Sequence, residues 1–284
     1  MSTPLSWRTE AARQLGRRRT KWVFGILLAL PLIFVGAFAL DSGSSSGAGG
    51  GGPADGGPVA GSRMVDVATS GSANFTVFAL LVSGELLLYV LAALFAGDPV
   101  PAEASWSSLR YLLTAPVTRT RLLASKLVVG YTSVAVALVV LPVWAFLVGS
   151  LFYGTDAFTI PGGGSIPWST LLWRLAVAVA YLFVSVLPIG AISFWVGVGT
   201  DTPLAAVGGA LIVFIVSGIL DTIKALGRWR NALPGHYARA WLDLLSGSEV
   251  DWSDMRHGAL WAVLYAIIFL ALGFRRFGRK DILS

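Results

Sequence analysis

The chain contains no cysteine, and it has only two histidines, His236 and His257. The absence of cysteine excludes disulfides and thiolate metal sites, and two histidines are too few for a histidine-rich metal centre. Charged residues are also scarce, since they make up 13% of the sequence, whereas apolar residues make up 55%. This balance excludes an ordinary soluble core and indicates an integral membrane protein.

The few charges that are present do not indicate a nucleic-acid-binding protein. The net charge is +6, but the lysines and arginines flank long apolar runs, where cations set the orientation of a membrane protein. The glycine-rich stretch 42–57 is not a phosphate-binding loop, because no strand pattern precedes it and no Gly-Lys-Ser/Thr sequence follows. We interpret it as a flexible outer segment. We therefore predict no nucleic-acid partner and no nucleotide site on this chain.

Six apolar runs are candidates for transmembrane helices, since about 20 apolar residues cross the hydrocarbon core of a bilayer. They cover residues 22–40, 75–96, 127–152, 171–198, 204–220 and 259–274. A polar turn with Thr200, Asp201 and Pro203 divides the fourth run from the fifth. The first run is longer than the core of a signal peptide, so we expect an uncleaved span. The sequence predicts an all-α integral membrane protein with six transmembrane helices.

Lysine and arginine counts predict the orientation of these spans. With an even number of spans both termini lie on one side, and this side carries most of the cations, in the basic amphipathic segment 1–21, the loop 98–126 and the tail 275–284. Cations accumulate on the cytoplasmic side of a membrane. We therefore predict a transmembrane domain at 22–274 with cytoplasmic termini, in a bacterial cell membrane. The outer loop 221–258 is discordant, because it also carries several cations.

The loop 98–126 carries an apolar stripe with helical spacing. The stripe residues are Trp106, Leu109, Leu112 and Leu113. Pro99 and Pro101 should stop the second span before this helix, and Pro116 should end it. Glu103 stands near its start, and Arg110 should be exposed. The pattern predicts a short cytoplasmic helix parallel to the membrane, which either docks a partner protein or is a linker that touches only lipid.

The outer loop 221–258 repeats apolar residues at helical spacing after a break at Pro234. These residues are Tyr237, Trp241, Leu244 and Leu245. The pattern predicts short amphipathic helices on the outer membrane face. They would form either a lid that shields the span ends or a gate over a translocation route.

Glu85 is the one acid at mid-membrane depth in the predicted spans, about 15 Å along the second span at 1.5 Å per residue. An ionisable side chain at this depth is costly and indicates a translocation pathway or a relay. The alternative is a protonated glutamate that bonds a neighbouring helix. We assign Glu85 and Tyr89, one helical turn further along, as candidate pathway residues. Arg174, near the start of the fourth span, should snorkel to the interface.

The loop sequence resembles the permease subunits of ATP-binding-cassette exporters of the second permease class. In this family an acid precedes a helix with a Leu-Arg pair, a Leu-Leu pair and a Pro-Val that is followed by cations. The matching residues are Glu103, Ser108, Leu109, Arg110, Leu112, Leu113, Pro116, Val117, Thr118, Arg119 and Lys126. Ser107 and Ser108 stand where the family usually has Gly-Thr. The six-span order, the basic N-terminal segment and the stretch at 233–245 are also similar to this family.

The resemblance implies the membrane half of an exporter. Two copies of a separate cytoplasmic ATPase would dock on the helix from Glu103 to Pro116 and on the N-terminal segment, and a second permease, identical or related, would complete the path. The implied ATPase-coupling residues are Glu103, Trp106, Leu109, Arg110, Leu112, Leu113, Pro116 and Arg119. ATP and Mg would bind to the partner ATPase, with no catalytic residue, metal or cofactor on this chain. A transporter that is not driven by ATP, or a structural assembly protein, is the alternative.

Overall fold

The computed structural model of the chain describes residues 7–45, 65–105, 119–160, 163–247 and 250–279. Its α-helices are α1 Trp7–Gly16, α2 Arg18–Ser45, α3 Ser72–Glu85, α4 Leu87–Gly97, α5 Pro99–Ser105, α6 Arg119–Tyr153, α7 Trp168–Gly199, α8 Pro203–Asp221 and α9 Ser253–Gly278. Between α6 and α7, the strands β1 Phe158–Thr159 and β2 Ser165–Ile166 form an antiparallel hairpin, with Phe158 opposite Ile166. Two 3-10 helices, Lys224–Ala232 and Ala240–Leu245, connect α8 to α9.

The helices confirm a multi-span membrane protein. Within the described ranges, five helices are long and apolar enough to cross a bilayer, namely α2, α6, α7, α8 and α9. The consecutive helices α3 and α4 meet the same test as a pair. Counted as one span, this pair brings the total to the six that the apolar runs predict.

The second span differs from the uninterrupted helix that the run 75–96 predicts, because α3 and α4 are bent by 54°. Leu86 lies between them with φ −137° and ψ −51°, outside the helical range. Gly84 stands just before the break, and glycine lowers helix propensity by about 1 kcal/mol relative to alanine. Hydropathy does not report such a break, because it measures only how apolar the segment is.

The core of the bundle is built around α7, which packs along α4, α8 and α9 and also contacts α6. Its side chains Leu182, Val186 and Ile189 are buried. In contrast, α2 packs mainly on α6 and leaves large apolar side chains such as Ile33 exposed. Exposed apolar side chains are expected for a helix whose outer face meets lipid.

Small residues bring α4 and α7 into close contact at the ends that lie next to the loop 98–126, which we call the inner ends because the charge count predicts them to be cytoplasmic. The Ser193 hydroxyl on α7 donates to the Ala93 carbonyl on α4 at 2.8 Å. A Cβ atom at Gly197 would overlap the Gly97 carbonyl oxygen, so only glycine fits at this crossing. Close approach through small residues is a usual way for membrane helices to associate. This contact fixes the point at which the chain leaves the second span for the loop 98–126.

Candidate functional site

The loop between the second and third spans begins with the short helix α5. Proline lacks an N–H donor, so α4 cannot continue through Pro99, but proline is well suited to the first turn of a new helix. The second span therefore ends before Pro99, as the sequence predicts, and α5 begins there at once. Glu103 lies one turn into α5 and is 2% exposed. Its carboxylate faces the interior of the protein.

Glu103 forms an ion pair with Lys126 on α6. The Nζ atom of Lys126 donates to Oε1 of Glu103 at 2.5 Å, and Lys126 is also 2% exposed. A buried ammonium group or carboxylate is costly unless it is paired. The pair therefore joins the start of the loop to the third span, which receives the chain after the loop.

Two acids also bind the N-terminal region. Arg13 on α1 and Arg17, which lies between α1 and α2, are 3.5 Å and 3.8 Å from the Glu103 carboxylate, and Arg17 is 3.7 Å from Asp98. Arg19, in the first turn of α2, is ion-paired with Asp98. We call these six residues, Arg13, Arg17, Arg19, Asp98, Glu103 and Lys126, the ionic cluster. The cluster ties α1, α2, α5 and α6 together at the inner end of the bundle.

Polar packing supports the same position of α1. Gln14 is 2% exposed, and the Ser133 hydroxyl on α6 lies 3.5 Å from its side-chain oxygen. The N-terminal helix thus lies against α6 as well as α5. The ionic cluster thus connects both ends of the loop to the N-terminal region. No group of three metal-ligating side chains is found in the part of the chain that the structure describes.

The structure describes only the edges of the predicted coupling helix. Glu103 is in the ionic cluster, and Arg119 is the first residue of α6. The other predicted coupling residues lie outside the described residues, and these are Trp106, Leu109, Arg110, Leu112, Leu113 and Pro116. Their assignment stays a prediction.

Sequence reasoning did not find the partners of Glu103. The cations of the segment 1–21, which include Arg13, Arg17 and Arg19, predict an orientation and a docking segment but not these ion pairs. A usable signal is present, because Arg13 and Arg17 have i, i+4 spacing in a segment that the sequence predicts to be amphipathic. Asp98 and Glu103 are the only acids in the loop 98–126. Complementary charges on two segments of one membrane face indicate that they pair.

The predicted pathway residues lie near the bend of the second span. Glu85 is the last residue of α3, and its side chain is outside the described part of the structure. Tyr89 on α4 is 2% exposed, and its ring stacks on Phe214 of α8 with centroids 3.9 Å apart. The adjoining cavity measures about 10 Å³, which is at the lower limit for a single water molecule. Tyr89 therefore lies in closed packing in this conformation.

The segment 224–247 covers the end of the bundle that the charge count predicts to lie outside, and we call it the outer cap. Arg174 was expected to snorkel to the interface, but this expectation is wrong, because Arg174 is buried beneath the cap. Its Nη1 atom donates to the carbonyl oxygens of Leu244 at 2.8 Å and Gly247 at 2.7 Å. Backbone oxygens of the cap therefore provide hydrogen-bond acceptors for Nη1 inside the protein, where water would otherwise be needed.

Further hydrogen bonds hold the outer cap to all three neighbouring spans. The Tyr181 hydroxyl on α7 donates to the Tyr237 carbonyl at 2.7 Å, and the Tyr265 hydroxyl on α9 donates to the Ala232 carbonyl at 2.6 Å. Asp221, the last residue of α8, lies 2.5 Å from His236. Trp241 and Leu244 are buried below the cap. The predicted apolar face therefore packs into the bundle, on 3-10 rather than α-helical turns.

An apolar cavity of about 440 Å³ lies under the edge of the outer cap. It is lined by Val67, Ala68, Asn74, Val77, Phe78, Leu81, Phe158, Ile160, Leu242, Leu245 and Ser246. The Asn74 amide is already occupied, because its nitrogen donates to the Thr159 carbonyl at 2.8 Å and its oxygen accepts from the Thr159 N–H at 2.9 Å. The cavity is suited to an apolar group rather than to a charged one.

Comparison with known proteins covers nearly the whole chain. The sequence profile of a family described as "ABC-2 family transporter protein" matches residues 15–282. A protein of Bacillus subtilis (strain 168), named "Uncharacterized protein YhcI", is 24% identical over 219 residues, which cover 74% of this chain and 67% of that protein. The family match includes every span from α2 to α9 and all of the outer cap.

Proposed function

This chain belongs to the ABC-2 family of transporter proteins, and on that premise we propose that it is the permease subunit of an ATP-driven exporter. Its spans form the translocation path together with those of a second permease, identical or related. Two copies of a separate cytoplasmic ATPase bind ATP and Mg, since the sequence contains no Walker lysine motif of its own. The protein lies in the bacterial cell membrane with both termini in the cytoplasm.

The ionic cluster is the observation that supports coupling to such an ATPase. Residues 106–118 connect α5 to α6 along the chain, and the pair of Glu103 and Lys126 joins these two helices. A push on the loop from the cytoplasm therefore acts on the second and third spans together. Through Arg13 and Arg17 it also acts on α1 and hence on α2.

In this proposal Glu103 is a positioning residue. Its carboxylate is buried against Lys126, so it fixes where the coupling segment leaves the bundle and does not itself meet the ATPase. Arg110 and the apolar stripe, together with Pro116 and Arg119, are the groups proposed to contact the ATPase or to orient the segment toward it. Glu85 and Tyr89 are proposed to border the path, which opens when α4 and α8 separate.

The outer cap acts as a lid in the conformation described here. Arg174, Tyr181 and Tyr265 each donate to a backbone carbonyl of the cap, so the cap is attached to the spans rather than resting on them. Export requires these attachments to break or to move with the spans. The apolar cavity beneath the cap edge favours a substrate with an apolar part.

The test is purification of the tagged protein from its native host in mild detergent, with identification of the proteins that remain bound and an ATPase assay. We expect a stoichiometric ATPase to be retained by the wild type. The Arg110→Gln variant should lose it, because it removes a predicted contact and leaves the ionic cluster intact. The matched control is Asp66→Asn, since Asp66 is an exposed acid on the outer side.

The Glu103→Gln variant distinguishes a residue that positions the coupling segment from a residue that contacts the ATPase. We expect weaker retention of the ATPase together with faster trypsin cleavage in α1, whereas Arg110→Gln should weaken retention alone. A stable preparation of the wild type that contains no ATPase would contradict the proposal. It would favour a transporter that is not driven by ATP, or a structural membrane protein.

A further inference from the structure

A cationic cavity of about 510 Å³ lies at the inner ends of α7 and α9. It is lined by Trp195, Val198, Gly199, Leu272, Arg275, Arg276 and Arg279. Arg275 and Arg276 are in the last turn of α9 and Arg279 follows it directly, whereas the apolar floor comes mainly from α7. Neither the predicted coupling segment nor the ionic cluster contributes to this cavity.

Arg276 is seated in the cavity by two contacts. Its guanidinium carbon lies 5.7 Å from the centre of the Trp195 ring, within the range of a cation–π interaction. The guanidinium also lies against Gly199, where an added Cβ atom would overlap it. An arginine that serves only to set membrane orientation does not need such packing contacts, because the positive-inside rule depends on the number of cations and not on their packing.

The three guanidinium groups concentrate positive charge at this cavity. Over the described ranges, no carboxylate lies within ion-pair distance of Arg275, Arg276 or Arg279. Three clustered cations repel one another, and guanidinium groups bind phosphate oxygens through two parallel hydrogen bonds. The cavity therefore has the donors for a phosphate anion.

The apolar floor of the cavity indicates which kind of molecule carries the phosphate group. Trp195 is half-buried, and Leu272, one turn before the arginines on α9, is 40% exposed on a surface that meets the bilayer. Tryptophan and arginine together are typical of the level of the lipid headgroups. A free phosphate ion or an acidic protein surface would make no use of the adjoining apolar groove, whereas a phospholipid would place its acyl chains there.

We propose that this cavity binds the headgroup of an anionic phospholipid from the inner leaflet. The phosphate accepts hydrogen bonds from Arg275, Arg276 and Arg279, and the acyl chains run along Leu272 toward the bilayer centre. Since the arginines lie on α9 and the floor on α7, the bound lipid joins the inner ends of these two spans. A ligand that binds only the folded state raises the unfolding temperature.

The test measures thermal unfolding of the purified protein in detergent while phosphatidylglycerol is added. We expect a saturable rise in Tm, and one retained phosphatidylglycerol per chain in native mass spectrometry. Phosphatidylcholine has the same acyl chains but a zwitterionic headgroup, and inorganic phosphate is an anion without acyl chains. Neither should therefore reproduce the rise in Tm. The measurement needs no ATPase, so its result is independent of the proposed exporter function.

Two kinds of variant test the assignment to this cavity. Arg276→Gln and Arg279→Gln each remove one cation, and each should weaken phosphatidylglycerol binding about fivefold, which corresponds to about 1 kcal/mol for a basic residue near an anionic surface. Gly199→Ala keeps the charge but displaces the Arg276 guanidinium, so it should also weaken binding. The control is Arg228→Gln, which removes an exposed cation from the outer cap and should leave binding unchanged.

Several results would overturn the proposal. Equal Tm shifts with phosphatidylcholine would show that the acyl chains alone act, and equal shifts with inorganic phosphate would show a free-anion site. Unchanged phosphatidylglycerol binding in both Arg279→Gln and Gly199→Ala would place the lipid elsewhere. Loss of a bound acidic protein, rather than of lipid, from the Arg276→Gln variant would assign the cavity to a protein partner.

Discussion

Replacing Glu103 by glutamine should destabilise the inner end of the bundle. Glu103 and Lys126 are both 2% exposed and their charged atoms are 2.5 Å apart. Removal of one partner from a buried ion pair costs about 3–5 kcal/mol, because the other charge stays buried without compensation. Glutamine keeps the shape and can still accept a hydrogen bond from Lys126, so we expect a loss near 3 kcal/mol in the free energy of unfolding.

Removing the N-terminal arginines Arg13 or Arg17 should cost less than removing Glu103. The Arg13 side chain is 44% exposed, and ion pairs at such positions contribute about 0–1 kcal/mol. Arg17 is only 11% exposed, so its contribution should be larger than that of Arg13. We therefore expect Arg13→Gln to unfold almost like the wild type, and Arg17→Gln to lie between Arg13→Gln and Glu103→Gln.

The assay is unfolding in detergent by titration with dodecyl sulfate, followed by the tryptophan signal. A double-mutant cycle with Lys126→Gln isolates the pair, since contacting residues have non-additive effects. The double variant should be less destabilised than the sum of the two single variants, because no buried charge is left without its partner. Strictly additive losses, or a Glu103→Gln variant as stable as the Asp66→Asn control, would refute the reasoning.

Three other perturbations test the outer cap and the helix crossing. Arg174→Ala removes two charge-assisted hydrogen bonds and should lower the free energy of unfolding by about 3 kcal/mol. Hydrogen exchange should become faster in the outer cap alone, and unchanged exchange there would contradict the anchoring role of Arg174. Gly197→Ala should cost about 1–3 kcal/mol by overpacking α4 against α7, whereas Gly218→Ala, where the added carbon has no close neighbour, should be neutral. Burial and the nearby Asp254 carboxylate raise the pKa of Asp243, so the folded state favours its protonated form and the cap should lose stability as pH rises through that pKa. Asp243→Asn should remove this pH dependence of hydrogen exchange in the cap.

Much of the architecture was predictable from the sequence because it follows from hydropathy. Five of the six apolar runs coincide with helices that can cross a bilayer, and the remaining run coincides with the bent pair α3 and α4. The polar turn at Thr200 separates α7 from α8, as the sequence predicts. The buried apolar face of the outer cap also followed from the spacing of Trp241 and Leu244. These features depend on local composition and periodicity, which a single sequence reports directly.

The parts that were not predictable depend on contacts between distant segments. Lys126 was identified only as part of the loop motif, whereas its partner Glu103 stands 23 positions earlier, at the other end of the loop. Arg174 was expected to seek water because the sequence does not show that the outer cap returns to cover it. Charge counting assigns such residues to a side of the membrane, but it does not pair them.

The bend at Leu86 divides the second span between two groups of helices. The outer half, α3, packs chiefly on α6, whereas the inner half, α4, packs most extensively on α7 and is held there by Ser193 and Gly197. In the proposed exporter, a push on the loop would reach α6 through the ion pair of Glu103 and Lys126, and it would reach α4 through α5. A straight second span would move as one body, whereas a break at Leu86 would let α3 follow α6 while α4 stays against α7. Glu85, the one acid in the predicted spans, is the last residue before this break, which is the reason why we propose it as a pathway residue.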